Sequence, residues 1–87
     1  MKNIKLFILK SCPFCIQALD WQDKILKENP QYQNVPIEII DESVEYELAE
    51  SYDYYYVPSY FIDEVKVYEG VCTRQIIESV FEEAYKE

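Results

Sequence analysis

The sequence predicts an α/β domain of order β-α-β-α-β-β-α, a four-stranded mixed sheet covered by three helices. Three observations carry that prediction. A run that is apolar on both faces near the N-terminus passes directly into a helical pattern, two short strand-like runs are separated by a two-residue turn, and the last segment has an apolar stripe at helical spacing. With 87 residues, 49% of them hydrophobic, the chain makes one domain spanning 1–87, with enough apolar material for a core of its own.

Asn3–Leu9 reads as the first strand: Ile4, Leu6 and Ile8 share one face and Phe7 and Leu9 the other, the pattern of a strand buried on both sides. Pro13 suits the first helical position, where its missing N–H costs nothing. From there Cys15, Ala18, Leu19, Gln22, Ile25 and Leu26 recur at helical spacing, Phe14 and Trp21 widen the stripe, and the helix is expected to end near Asn29-Pro30. Gln31–Val35 reads as a polar connector, and Pro36–Asp41, with Ile37, Ile39 and Ile40, as the second strand. Ser43 is expected to cap a short helix carrying Val44, Leu48 and Tyr52. Pro58 begins a third strand, Ser59–Asp63, and Asp63-Glu64 turns the chain into a fourth, Val65–Glu69. Gly70, the only glycine, falls where the chain needs positive φ, and Thr73 is placed to cap a final helix whose stripe is Ile76, Ile77, Val80, Phe81 and Ala84. A strand, helix, strand sequence implies a right-handed parallel crossover, here followed by an antiparallel hairpin.

The formal charge of −9 and the lack of histidine argue against nucleic acid and anionic membranes as partners and remove the usual metal ligand and proton shuttle. Glu78, Glu82, Glu83 and Glu87 read as a solvated helix face. Three cysteines do not make the disulfide framework of a small secreted domain, and Lys5 and Lys10 bracket too short an apolar run for a signal peptide. No segment approaches the roughly 20 apolar residues of a membrane span. The expected setting is a monomer in the reducing cytoplasm.

Cys12-Pro13-Phe14-Cys15 sits at the junction of the first strand and the first helix. Unpaired N–H groups and the positive end of the helix dipole there favour a thiolate at Cys12, the more exposed member, and the thiolate is the nucleophile. Cys15, one turn deeper, is placed to resolve a mixed disulfide formed at Cys12. Structural zinc is the competing explanation for the pair. It needs four ligands, and only Cys72 and carboxylates remain, which leaves zinc only as a site shared between two copies. No metal is expected. Two readings fit Lys10: its charge lowers the Cys12 pKa, or it solvates the loop. Two also fit Cys72: a small semi-buried residue beside a helix start, or a regulatory third thiol. Tyr52, Tyr54, Tyr55 and Tyr56 divide between core packing and a groove wall, with Tyr56 the one expected to meet substrate.

The element order, the Cys12-Pro13-Phe14-Cys15 motif after the first strand, Val57-Pro58 before the third and Glu69-Gly70 before the last helix together resemble the thioredoxin fold over essentially the whole chain. Within that superfamily the chain looks most like a glutaredoxin. Pro13-Phe14 is similar to the glutaredoxin Pro-Tyr, whereas Ser11 stands where thioredoxins have Trp, and Leu6 falls about where they keep a buried Asp. The resemblance implies a cis peptide at Pro58, with the Val57 main chain facing substrate as an added strand would require. It also implies substrate-binding roles for Lys10, Pro13, Phe14, Tyr56, Val57, Pro58, Gly70, Cys72 and Thr73. The sequence departs from the family pattern at three places. Lys10 is two residues before Cys12 rather than three, Tyr56 replaces a Thr, and Cys72 and Thr73 occupy the positions of an Asp pair that holds the γ-glutamyl end of glutathione.

The implied activity is thiol–disulfide exchange on protein disulfides or glutathione mixed disulfides, with no bound cofactor and with glutathione or a flavoprotein reductase as electron donor. A redox-sensing or partner-binding module without turnover is the alternative.

Overall fold

Strand β1 (Ile4–Ile8) is central because both its faces find a core. The computed structural model describes residues 1–86; Glu87, assigned above to the acidic helix face, lies outside the described residues. Ile4, Leu6 and Ile8 are buried against α1 (Pro13–Glu28) and α3 (Arg74–Tyr85), through Cys15, Ala18 and Ile25 of the former and Ile77, Val80, Phe81 and Ala84 of the latter. On the opposite face Phe7 packs with Ile40, Phe61 and Ala49, and its ring lies 4.9 Å from those of Tyr52 and Tyr54. The sheet therefore has two helices on one side and the short α2 (Tyr46–Glu50), with the tyrosine segment that follows it, on the other.

The strand order is β2-β1-β3-β4, with β2 (Ile37–Asp41) parallel to β1, and β3 (Ser59–Ile62) and β4 (Val65–Glu69) added antiparallel. That arrangement is the predicted architecture. The β3–β4 turn needs no glycine: Asp63 and Glu64 take φ of 46° and 71°, the two positive angles of a type I′ hairpin turn. Lys5 pairs with Glu64 at 2.6 Å, and Tyr52 donates to the same carboxylate. Gly70 has φ +99°, and Thr73 caps α3 by accepting the Ile76 N–H at 3.2 Å.

Two local expectations are corrected. The Gln31–Val35 connector contains a 3-10 helix, Pro30–Asn34, started by the proline and seated on the core through Tyr32. Ser43 does not cap α2. Its N–H and hydroxyl both go to Asp41 Oδ1, at 2.9 and 2.6 Å, so a local Asx turn wins, and α2 begins three residues later with no side-chain cap. Val44, expected on the helix stripe, is exposed instead. Among the described residues no helix is long and apolar enough to cross a membrane.

Candidate functional site

Three segments meet at the C-terminal end of β1: the Cys12–Cys15 turn, the Tyr55–Pro58 loop and the Gly70–Thr73 loop. Cys15 and Cys72 belong to the buried cluster between the sheet and helices α1 and α3, with half-buried Cys12 and Val57 packed on its edge. The Gly70 N–H donates to the Pro58 carbonyl at 2.9 Å and joins the second and third segments. The Val57–Pro58 peptide bond is cis. Among the described residues neither the N–H nor the C=O of Val57 has a hydrogen-bond partner, so both are open to an extended chain laid alongside.

Cys12 is the N-cap of α1, in extended conformation, and Pro13 follows at the first helical position. Its carbonyl accepts the N–H groups of Cys15 and Ile16, each at 3.0 Å. The two thiols are held in unlike states. Burial works against the Cys12 thiolate, but the Cys15 N–H, the Cys15 thiol and the Phe14 N–H together outweigh it and bring the pKa below the ordinary 9.0. Neither amide closes a full capping hydrogen bond on the sulfur, so their contribution is a field from the helix start. Cys15 is fully buried, and burial pushes it up to about 12 even though the Leu9 N–H donates to its sulfur at 3.5 Å. The two thiols interact so that charge is favoured on the outer sulfur and opposed on the inner one. Burial likewise raises Cys72 to about 11.

The remaining predicted residues divide by what their atoms do. Phe14 and Tyr56 are 51% and 68% exposed. Pro13 is exposed at the helix start. Lys10 is exposed, and its charge acts on Asp41 rather than on Cys12. Cys72 is buried, with its thiol directed at the Gly70 carbonyl 3.4 Å away, and the Thr73 hydroxyl is engaged in its cap. The polar atoms that stand where the resemblance places an Asp pair are thus occupied locally. Leu6 is buried with no polar group to offer. A different polar pair lies behind the dithiol: the Tyr60 hydroxyl donates to Gln22 Oε1 at 2.8 Å, within electrostatic reach of Cys72 and Cys15.

Two carboxylates at this end of the sheet were given no site role from the sequence. Glu69 Oε2 accepts the N–H groups of Tyr55 and Tyr56 at 2.8 and 3.1 Å while Oε1 meets Lys66 at 2.6 Å. Lys66 and those two amides lower its pKa to about 2, so it is a fixed anion that holds the loop leading to Val57-Pro58. Glu42, at the end of β2, accepts the Tyr54 hydroxyl at 2.7 Å, and its charge opposes ionisation of both Cys12 and Cys15. Glu69 carried one signal in the sequence, its place against the single glycine; Glu42 carried none. Among the described residues no three of His, Cys, Asp and Glu gather in a metal-holding group.

No protein-family model matches this sequence, and no curated protein matches it. Two solved structures are similar in shape. One is oxidised thioredoxin from Plasmodium falciparum, 15% identical, with 94% of this chain and 79% of that one covered at a TM-score of 0.73. The other is an uncharacterised thioredoxin-like protein from Clostridium perfringens, 24% identical, with 100% of this chain and 74% of that one covered at a TM-score of 0.72. Element order, sheet topology and these two likenesses agree: the chain has the thioredoxin fold.

Proposed function

We propose that the chain is a thiol–disulfide oxidoreductase, glutaredoxin-like in its motif, that works in the reducing cytoplasm. One observation supports this above the others: half-buried Cys12 caps the start of α1 while Cys15, one turn on, is fully buried, an arrangement that favours charge on the outer sulfur and opposes it on the inner one. The Cys12 thiolate attacks one sulfur of a substrate disulfide, forming a Cys12–substrate bond and releasing the other sulfur as a thiolate. That thiolate takes up a proton, and Cys15 gives one up as it attacks Cys12 Sγ. The second substrate thiol leaves, the Cys12–Cys15 disulfide remains, and the substrate has gained two electrons and two protons. Two thiols of glutathione, or a flavoprotein reductase, return the pair to the dithiol. Glutathione enters as co-substrate rather than as a bound group. Val57 supplies main-chain pairing to the substrate, and Phe14 and Tyr56 supply apolar contact.

Insulin reduction driven by dithiothreitol, run beside reduction of a glutathione mixed disulfide, tests the proposal. Turnover in either assay that disappears with Cys12→Ser supports it. Glutathione-linked turnover that survives Cys15→Ser assigns the glutaredoxin type, and insulin turnover needing both cysteines assigns a protein disulfide reductase. Inactivity in both overturns the enzymatic reading.

A second reading has its own observation. Phe14, Tyr55, Tyr56 and Val71 are each more than half exposed, which suits a docking face whose partner is chosen by the redox state of Cys12–Cys15. Capture of a partner that depends on oxidation state, without turnover, would favour it.

A further inference from the structure

A cavity of about 340 Å³ opens beside the dithiol, where β2 ends and α2 begins, and Leu9, Glu42, Tyr46, Glu50, Tyr54 and Tyr55 line it. Leu9 ties it to the chemistry. Its N–H donates to Cys15 Sγ at 3.5 Å, and its carbonyl accepts the Cys12 N–H at 3.0 Å. Tyr55 ties it to the substrate loop, because Glu69 holds the Tyr55 and Tyr56 amides just before Val57.

The lining is one-sided in its chemistry: three phenol rings and two carboxylates, with no lysine or arginine. Tyr54 and Glu42 are joined at 2.7 Å, which sets one ring and one carboxylate in fixed relation. Among the described residues neither Glu42 nor Glu50 forms an ion pair, whereas Lys5, Lys24, Lys27, Lys66, Arg74 and Lys86 all have carboxylate partners elsewhere. Lys10 acts on Asp41 and is not part of the lining. Aromatic walls with two carboxylates that no cation partners among the described residues suit a long side chain that has an apolar stem and a cationic head. An anionic ligand would face both carboxylates and a chain of net charge −9.

We infer that this cavity receives a lysine or arginine of the substrate, carried close in sequence to the cysteine that Cys12 attacks, so that the preferred substrates are disulfides in a basic sequence context. The inference rests on the oxidoreductase reading and names the substrate class for that site. Bound this way, the cation lies next to Glu42, the group that otherwise disfavours charge on the two thiols.

The test uses peptides bearing one cysteine as a mixed disulfide with thionitrobenzoate, whose release is followed by absorbance. Three peptides carry arginine, its neutral isostere citrulline or glutamate next to the cysteine, and differ otherwise only at one distant residue that keeps total charge constant. The wild-type protein is expected to react roughly fivefold faster with the arginine peptide than with the citrulline peptide, as one cation–π contact and one exposed ion pair allow. Glu50→Gln should shrink that ratio toward unity, while Glu82→Gln, a loss of the same charge on the far helix, should leave it intact; thermal melts establish that each variant is folded. Equal rates on arginine and citrulline, or a preference that Glu50→Gln does not reduce, would overturn the assignment while leaving the enzyme reading standing. Release no faster than with free cysteine, on every peptide, would overturn both.

Discussion

Iodoacetamide at pH 7 should label Cys12 first, Cys72 next and Cys15 last, and the spacing of those rates follows from the structure. Cys12 lies below the ordinary thiol pKa of 9.0, Cys72 at about 11 and Cys15 at about 12. At neutral pH more than about 1% of Cys12 is thiolate, against about 0.01% for Cys72 and about 0.001% for Cys15. A more basic thiolate is also a better nucleophile, by a factor of about three per pKa unit, which returns about eightfold to Cys72 and about twentyfold to Cys15. The net advantage of Cys12 is therefore at least about tenfold over Cys72 and about fiftyfold over Cys15, before burial of the other two sulfurs widens it. Timed quenching and peptide mass mapping give the three rates separately, and the pH dependence of the Cys12 rate gives its midpoint. Cys15→Ala removes the inner thiol, which favours charge on Cys12, so it should move that midpoint up. Labelling of Cys72 or Cys15 as fast as Cys12, or a Cys12 midpoint at or above 9.0, would refute the claim that the helix start and the inner thiol activate the outer one.

Glu69→Ala should free the Tyr55 and Tyr56 amides, raising KM for protein disulfides severalfold while leaving Cys12 alkylation nearly unchanged; Glu69→Gln should restore part of the loss. Because the Glu69 carboxyl is depressed from 4.5 to about 2, the stability it contributes is complete above about pH 4.5 and lost as pH falls through 2, which the Tyr55 and Tyr56 amide NMR shifts should follow. Tyr60→Phe leaves the buried Gln22 Oε1 unpaired and should cost about 2 kcal/mol, a melting temperature lower by roughly 10 °C, and Tyr60→Phe with Gln22→Leu should recover much of it. Thr73→Ala should cost about 1 kcal/mol by loss of the α3 cap, read by denaturant unfolding.

Local features of the chain were legible without the structure. The alternation of Ile4, Leu6 and Ile8 with Phe7 marks a strand apolar on both faces, and each set meets its own core. The Thr73 cap and the Gly70 backbone follow from residue type and position alone, since a hydroxyl before an apolar stripe and a lone glycine after a strand are short-range statements. Ser43 shows the limit of that reasoning: its hydroxyl could accept a helix N–H or donate to the Asp41 carboxylate, and the carboxylate won. The Cys12–Cys15 spacing identified the pair, but their opposed acidities depend on how deeply each sulfur is buried and which amides face it.

By itself the sequence determined the order of elements, the two apolar faces of the first strand and the place of the Cys12–Cys15 pair at the strand–helix junction, because these depend on period, stereochemistry and spacing along the chain. Only the tertiary structure decided which carboxylates surround that motif. Glu42 meets Tyr54 from 12 residues away, Glu69 reaches the Tyr55 amide from 14 and Tyr60 finds Gln22 from 38. Strand order and register bring those groups together, and nothing local to any one of them encodes its partner.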